Sequence, residues 1–97
     1  MLLGIYTPAA DVDHLVDLMT SNNLYAEVES VILRNTQWEE TMRFELIDAD
    51  TRTFQALRYC YRGGIDDWIE IGASDNLAHL LREFVPHIGQ ESYYELL

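Results

Sequence analysis

The sequence predicts an α+β domain, an antiparallel sheet of four to five strands with two to three helices packed on one face. Three observations carry that expectation. Two stretches repeat apolar residues at helical spacing, Val12/Leu15/Val16/Met19 and Leu77/Leu80/Leu81/Phe84/Val85. Between them lie segments rich in Val, Ile, Tyr and Phe, one of which alternates cleanly. The strands follow one another in a run with helices at either end, which suits an antiparallel sheet and not a parallel one. The order reads β-α-β-β-β-β-α-α, and 97 residues make a single domain, 1–97.

Leu2 to Tyr6 is a short apolar strand ended by Thr7-Pro8. Thr7 is placed to cap the first helix, with Pro8 at its first position, where the missing N–H costs nothing. Asp11, Asp13, His14 and Asp17 fall opposite the apolar stripe, and Asn22-Asn23 stops the helix. Residues 24–34 read as a strand whose first half alternates polar and apolar. Residues 35–40 form a loop holding Trp38. Residues 41–48 put Met42, Phe44 and Leu46 on one face and Arg43 and Glu45 on the other.

After turn residues 49–52, a strand from Thr53 to Arg62 meets another from Ile65 to Ile71 through Gly63-Gly64. A two-residue turn sets Leu57 against Glu70 and mixes polar with apolar residues on both faces. A three-residue loop with Gly64 left-handed sets Leu57 opposite Ile69 and Tyr61 opposite Ile65, and leaves Arg58 beside Trp68. The second register is the expected one, with both main helices on the Leu57/Tyr59/Tyr61 face. Leu15, Leu46, Leu57, Leu80 and Phe84 are then core. Ser74 caps the second helix and Pro86 ends it. Tyr93, Leu96 and Leu97 fall at helical spacing in a last segment, residues 90–97, with Glu91 and Glu95 one turn apart outside.

Charge is the most informative property of the chain. It has no lysine, and seventeen Asp and Glu face six Arg, for a formal charge of −11. Residues 1–33 hold five acids and no base, residues 34–63 balance five acids with five Arg, and residues 64–97 set seven acids against Arg82 alone. Such a field speaks about partners and association rate, not about fold. It excludes nucleic acid and anionic membrane as direct ligands and favours a basic protein surface. At 48% hydrophobic, the chain is too apolar for a disordered acidic tail. The N-terminal stretch lacks the positive region of a signal peptide, and no apolar run approaches the ~20 residues of a membrane span. The single cysteine, Cys60, suits a reducing compartment. The expectation is a cytoplasmic protein.

No motif for chemistry emerges. Asp48-Ala-Asp50 matches the start of a calcium loop, but Thr53 stands where that loop needs Gly and Tyr59 where it needs Glu, so it reads as a hairpin turn. His79 and Glu83 are spaced i, i+4 but lack a third ligand short of His87 beyond Pro86, and His14 with Asp17 reads likewise as a solvated helix face. Cys60 sits mid-strand without a base, the serines lack an elbow motif, and no glycine-rich phosphate loop is present. No catalytic residue, metal ligand or cofactor site is expected. Arg43, Arg58 and Arg62 share a sheet face with Glu45, Asp66, Glu70 and Trp68, and read as a face knitted by cross-strand ion pairs with a cation–π contact.

The acids left over show regular spacing. Asp13/Asp17 and Glu91/Glu95 are i, i+4 pairs, about 5–6 Å apart on a helix. Glu27 and Glu29 share a strand face, ~6.6 Å apart. Like charges so placed destabilise the pairs that carry them, while a phosphate backbone is a comparable row of negative charge. In size, charge and these acid rows the chain resembles the small acidic DNA-mimic inhibitors of phages and mobile elements, the anti-CRISPR and anti-restriction proteins. The resemblance rests on no alignable motif. It implies a non-catalytic inhibitor that occupies the positively charged nucleic-acid groove of a nuclease or surveillance complex. The expected contact residues are Asp11, Asp13, Asp17, Glu27, Glu29, Asp66, Asp67, Glu70, Glu91 and Glu95. Two alternatives share the electrostatics: an immunity protein for a basic nuclease toxin, and an acidic housekeeping protein of a halophile.

Overall fold

Val12, Leu15, Val16 and Met19 are all buried along one side of helix α1 (Val12–Ser21), as their spacing requires. The structure, a computed structural model, describes residues 2–6, 12–62, 65–87 and 93–97, with side chains at all of these except 5, 6, 61, 62, 65, 66 and 87. The Thr7-Pro8 cap expected before α1 lies outside the described residues. The helix ends where Asn22-Asn23 predicts. Asn23 takes φ 55, its N–H donates to Thr20 O (3.1 Å), and the Leu24 N–H donates to Met19 O (2.9 Å). These two bonds satisfy carbonyls that the last turn would otherwise leave open.

The second helix, α2, runs Leu77–Phe84 and buries Leu77, Leu80 and Leu81. Its cap is Asn76, whose side chain accepts from the His79 N–H (3.0 Å). Ser74, expected as the cap, is the last residue of a strand, and its hydroxyl accepts instead from the Asn76 N–H (3.0 Å). Pro86 falls in the short 3-10 turn Val85–His87 that follows α2.

The five expected strands are present: β1 (Gly4–Tyr6), β2 (Ser30–Arg34), β3 (Glu40–Asp48), β4 (Thr53–Arg62) and β5 (Ile65–Ser74). Strand β2 starts later than its composition suggests. Hydrogen bonds from Glu27 N and Val28 N to Leu24 O (3.0 and 2.9 Å) close a turn over 24–28 first. A sixth strand, β6 (Tyr93–Leu96), stands where helical spacing predicts a helix. It inserts between β1 and β2, giving the antiparallel order β1-β6-β2-β3-β4-β5. Four residues are too few to separate a period of 2 from 3.6, so the vacant ladder between β1 and β2 decides.

The hairpin register is corrected as well. Leu57 faces Glu70, Tyr59 faces Trp68 and Arg62 faces Ile65, the two-residue connection, with a register shift at Ala56/Leu57 that leaves Ile71 as the extra residue on β5. The shift moves β5 from one face to the other. Gly72 lies beside the buried Ala56 under α2, whereas Glu70 and Trp68, of the same parity, lie beside Leu57 and Tyr59 on the opposite face. Consequently α1 and α2 cover the face of Val31, Leu33, Met42, Phe44, Phe54, Ala56, Tyr94 and Leu96. They do not cover Leu57 and Tyr59, and the side chain of Tyr61 lies outside the described residues. Leu15 and Leu80 are core, Leu46 and Phe84 pack at its margin, and Leu57 is only half-buried on the other side.

The small pair Ala56–Gly72 explains where α2 docks. A Cβ on Gly72 would lie 2.5 Å from Phe84 Cε2 and 3.7 Å from Leu80 Cδ1, so the helix rests on bare backbone. Among the described residues no helix is long and apolar enough to cross a membrane.

Candidate partner-binding surface

The helix-free face of the sheet holds an ion-pair network around two arginines. Arg34 on β2 reaches Glu40 on β3 (3.4 Å) and Glu95 on β6 (3.3 Å), while Arg43 on β3 reaches Glu40 (2.6 Å) and Glu45 (2.8 Å). Alternation puts Arg34, Arg43, Glu45 and Glu95 on one face, with Ile32 buried among them, and the register shift that leaves Thr41 extra on β3 brings Glu40 to the same face. Both guanidiniums also lie over tryptophans, Arg34 over Trp38 (5.3 Å to the ring centre) and Arg43 over Trp68 (5.6 Å). Trp38 in turn packs at a tilt against Tyr93, and Trp68 edge-on against Tyr59, with ring centres 5.0 and 5.5 Å apart. Glu45, then partial burial acting the other way, then Glu40 set the Arg43 proton affinity, with a net rise above the ordinary guanidinium value.

The sequence reading of this face holds for Arg43, Glu45, Glu70 and Trp68. It fails for Arg58, which pairs with Met42 of β3 and so lies on the face opposite to Arg43. The side chains of Arg62 and Asp66 lie outside the described residues. Arg34, Glu40 and Glu95 were missed. Arg34 was legible, two positions from Ile32 in a strand, whereas Glu95 needed β6 to be recognised.

Two further arginines are also engaged. Arg52 donates to the carbonyls of Tyr25 and Val28, at 2.6 Å each, and Arg82 donates to Asp13 (3.0 Å), tying α2 to α1. Arg58 is exposed.

Of the ten expected contact residues, Asp11 and Glu91 lie outside the described residues. Asp13 and Asp17 are exposed on α1, one turn apart as read, although Asp13 is paired with Arg82. That pair is more than half exposed on both sides, and pairs of this kind contribute little, about 0–1 kcal/mol. Glu27 and Glu29 are exposed but share no strand face. Glu27 sits in the turn after α1, and Glu29 leads into β2, its N–H on Leu97 O (2.6 Å) and its carbonyl on Leu46 N (2.9 Å). Asp67 and Glu70 are exposed on β5, where Asp67 Oδ1 accepts from the Trp68 N–H (2.8 Å). Glu95 is drawn into the Arg34 pair, its side chain only 15% exposed. It is not an outward-facing acid, because its segment is a strand in the sheet and not a solvated helix.

Two open cavities flank these groups. One of about 580 Å³ lies on the helix-free face between Ile32, Arg34, Glu40, Arg43 and Glu95. The other, about 600 Å³, lies between Tyr25, Arg52, Phe54, Asn76 and Leu77. Among the described residues no three of His, Cys, Asp and Glu stand close enough to hold a metal, and the exposed His79 and Glu83 are 3.8 Å apart. Compared with protein-family models, curated proteins and solved structures, the chain matches none.

Proposed function

We propose that this chain is a non-catalytic acidic inhibitor, working in the cytoplasm, that binds the basic nucleic-acid-binding surface of another protein or nuclease complex. In this it acts as a DNA mimic of the anti-CRISPR or anti-restriction kind. The observation that supports this reading is how unevenly the two signs of charge are deployed. Arg34, Arg43 and Arg52 are spent on partners within the fold and Arg82 on Asp13, while Asp17, Glu27, Glu29, Asp67 and Glu70 face solvent. A merely soluble surface intersperses the signs. Here four of the arginines are engaged within the fold and the acids predominate on the surface, which accelerates encounter with a positive partner and holds its register.

The test is capture of the partner, followed by competition with nucleic acid. The captured protein should lose its DNA or RNA as the complex forms, and the complex should weaken steeply as salt shortens the screening length below ~10 Å. Replacing Asp13, Asp17, Glu27 and Glu29 together with Asn and Gln should slow association while leaving the melting temperature within a few degrees. A partner that holds its nucleic acid undisturbed inside the complex, or binds the fourfold variant equally well, rules the reading out.

A further inference from the structure

Strand β5 ends the sheet: in the strand order it has β4 on one side and, among the described residues, no strand on the other. At ten residues it is much longer than β1, the three-residue strand at the opposite edge. Long bare edges invite pairing with another chain, because their outward N–H and C=O groups have no ladder partner. Antiparallel ladders alternate bonded and non-bonded pairs, and the two-residue connection makes Arg62–Ile65 a bonded one. The backbone groups of residues 66, 68 and 70 therefore point away from β4. Asp67 Oδ1 accepts from the Trp68 N–H, so the chain closes that outward donor with its own carboxylate. Residues 65–74 also carry three acids and no base.

Taking the proposed basic partner as given, we infer that the β5 edge is where it docks, by adding a cationic extended segment as a seventh strand. A carbonyl of that segment replaces Asp67 at the Trp68 N–H, and the freed carboxylate pairs with a lysine or arginine of the incoming strand. The exchange selects its occupant by charge. A neutral strand forfeits the Asp67 bond without compensation, and an acidic strand meets the exposed Asp67 and Glu70. A second copy of β5, paired antiparallel about Trp68 through the same outward groups, sets position 66 against Glu70, acid against acid, and is repelled. Basic arms that bind nucleic acid are extended when free, so pairing orders them along a template already formed.

The probes are short blocked peptides of alternating Lys and Val, the same peptide N-methylated on its pairing edge, and alternating Glu and Val. Amide exchange by NMR is read on the intact chain. The Lys-Val peptide should slow exchange at Trp68 and Glu70 by about tenfold or more. The methylated and acidic peptides should leave it unchanged. Asp67→Ala should weaken the Lys-Val peptide and strengthen a neutral Thr-Val one, since the N–H is then unguarded. Glu70→Pro removes an outward donor without touching the β4 ladder and should weaken the Lys-Val peptide. Equal binding of the methylated peptide, protection confined to residues 13–29, or a homodimer protecting Trp68 would each overturn the edge assignment. A captured partner that still gives up its nucleic acid to Glu70→Pro would overturn it too while leaving the inhibitor reading intact.

Discussion

Arg52 sits in the left-handed region at φ 56, where a residue with a Cβ is strained. Two bonds hold it there, to the Tyr25 and Val28 carbonyls, and its guanidinium lies 5.3 Å from the Phe54 ring centre. It thereby fastens the 24–28 turn to the β3–β4 connection. Arg52→Ala should cost about 1.5–3 kcal/mol in chemical denaturation, the range for bonds to a charged donor. Arg52→Gly should cost less than Ala, because glycine relieves the backbone while losing the same bonds. The reverse order would mean that the turn is held by something else. Gly72 offers the complementary case. Gly72→Ala pushes into the Phe84 ring and should cost about 1–3 kcal/mol, and much of that penalty should vanish when Phe84→Ala is already present.

Tyr25 gives the residue scale a dependence on pH. Burial holds its hydroxyl proton above the usual tyrosine range, against a smaller opposing contribution from a hydrogen bond with Thr20. A folded-state value raised above the unfolded one contributes stability below about pH 10, lost as pH rises through the folded value. Alkaline unfolding should therefore steepen above pH ~10, and Tyr25→Phe should flatten that limb. An identical limb in the variant would assign the loss to another group.

Among the elements, β6 carries more of the fold than its four residues suggest. It completes ladders on both sides, from Tyr6–Tyr94 on β1 to Leu33–Tyr94 and Val31–Leu96 on β2. Leu97 then exchanges bonds with Ser30, at 2.9 and 3.0 Å. Leu96 is fully buried, so Leu96→Ala should cost about 2–5 kcal/mol and lower the melting temperature cooperatively. Deleting residues 93–97 should abolish the folded state, because β1 loses its partner strand and Val31 and Leu33 lose their cover. A truncated chain with native circular dichroism would show β6 to be peripheral.

For the whole molecule, the outcome of folding is electrostatic. The Arg34/Arg43 network withdraws cations to one face and lets the acids elsewhere repel one another. Added salt from about 0.05 to about 0.5 M should raise the melting temperature, since screening weakens that repulsion more than it weakens half-buried pairs. A falling melting temperature would mean that the ion pairs outweigh the repulsion, and the surface would then be less one-sided than its composition implies.

The helices, the strand run and the stop at Asn23 were legible because each depends on local spacing or on one residue's backbone preference. Unequal deployment of charge was legible too, since lysine is absent from the chain altogether. Tertiary structure alone decided the rest. Whether Phe54 and Ala56 or Leu57 and Tyr59 face the helices turned on the pairing of β4 with β3, which sets Ala56 beside Phe44 and Phe54 beside Leu46. Whether Tyr93 to Leu96 coil or extend turned on a ladder left open by strands far away in sequence. Glu95 became an internal partner of Arg34 as a consequence, and Glu27 and Glu29 left their shared strand face because a turn formed before it. Period and propensity are properties of neighbours along the chain, whereas register, insertion and ion pairing belong to residues that meet only once the sheet has closed.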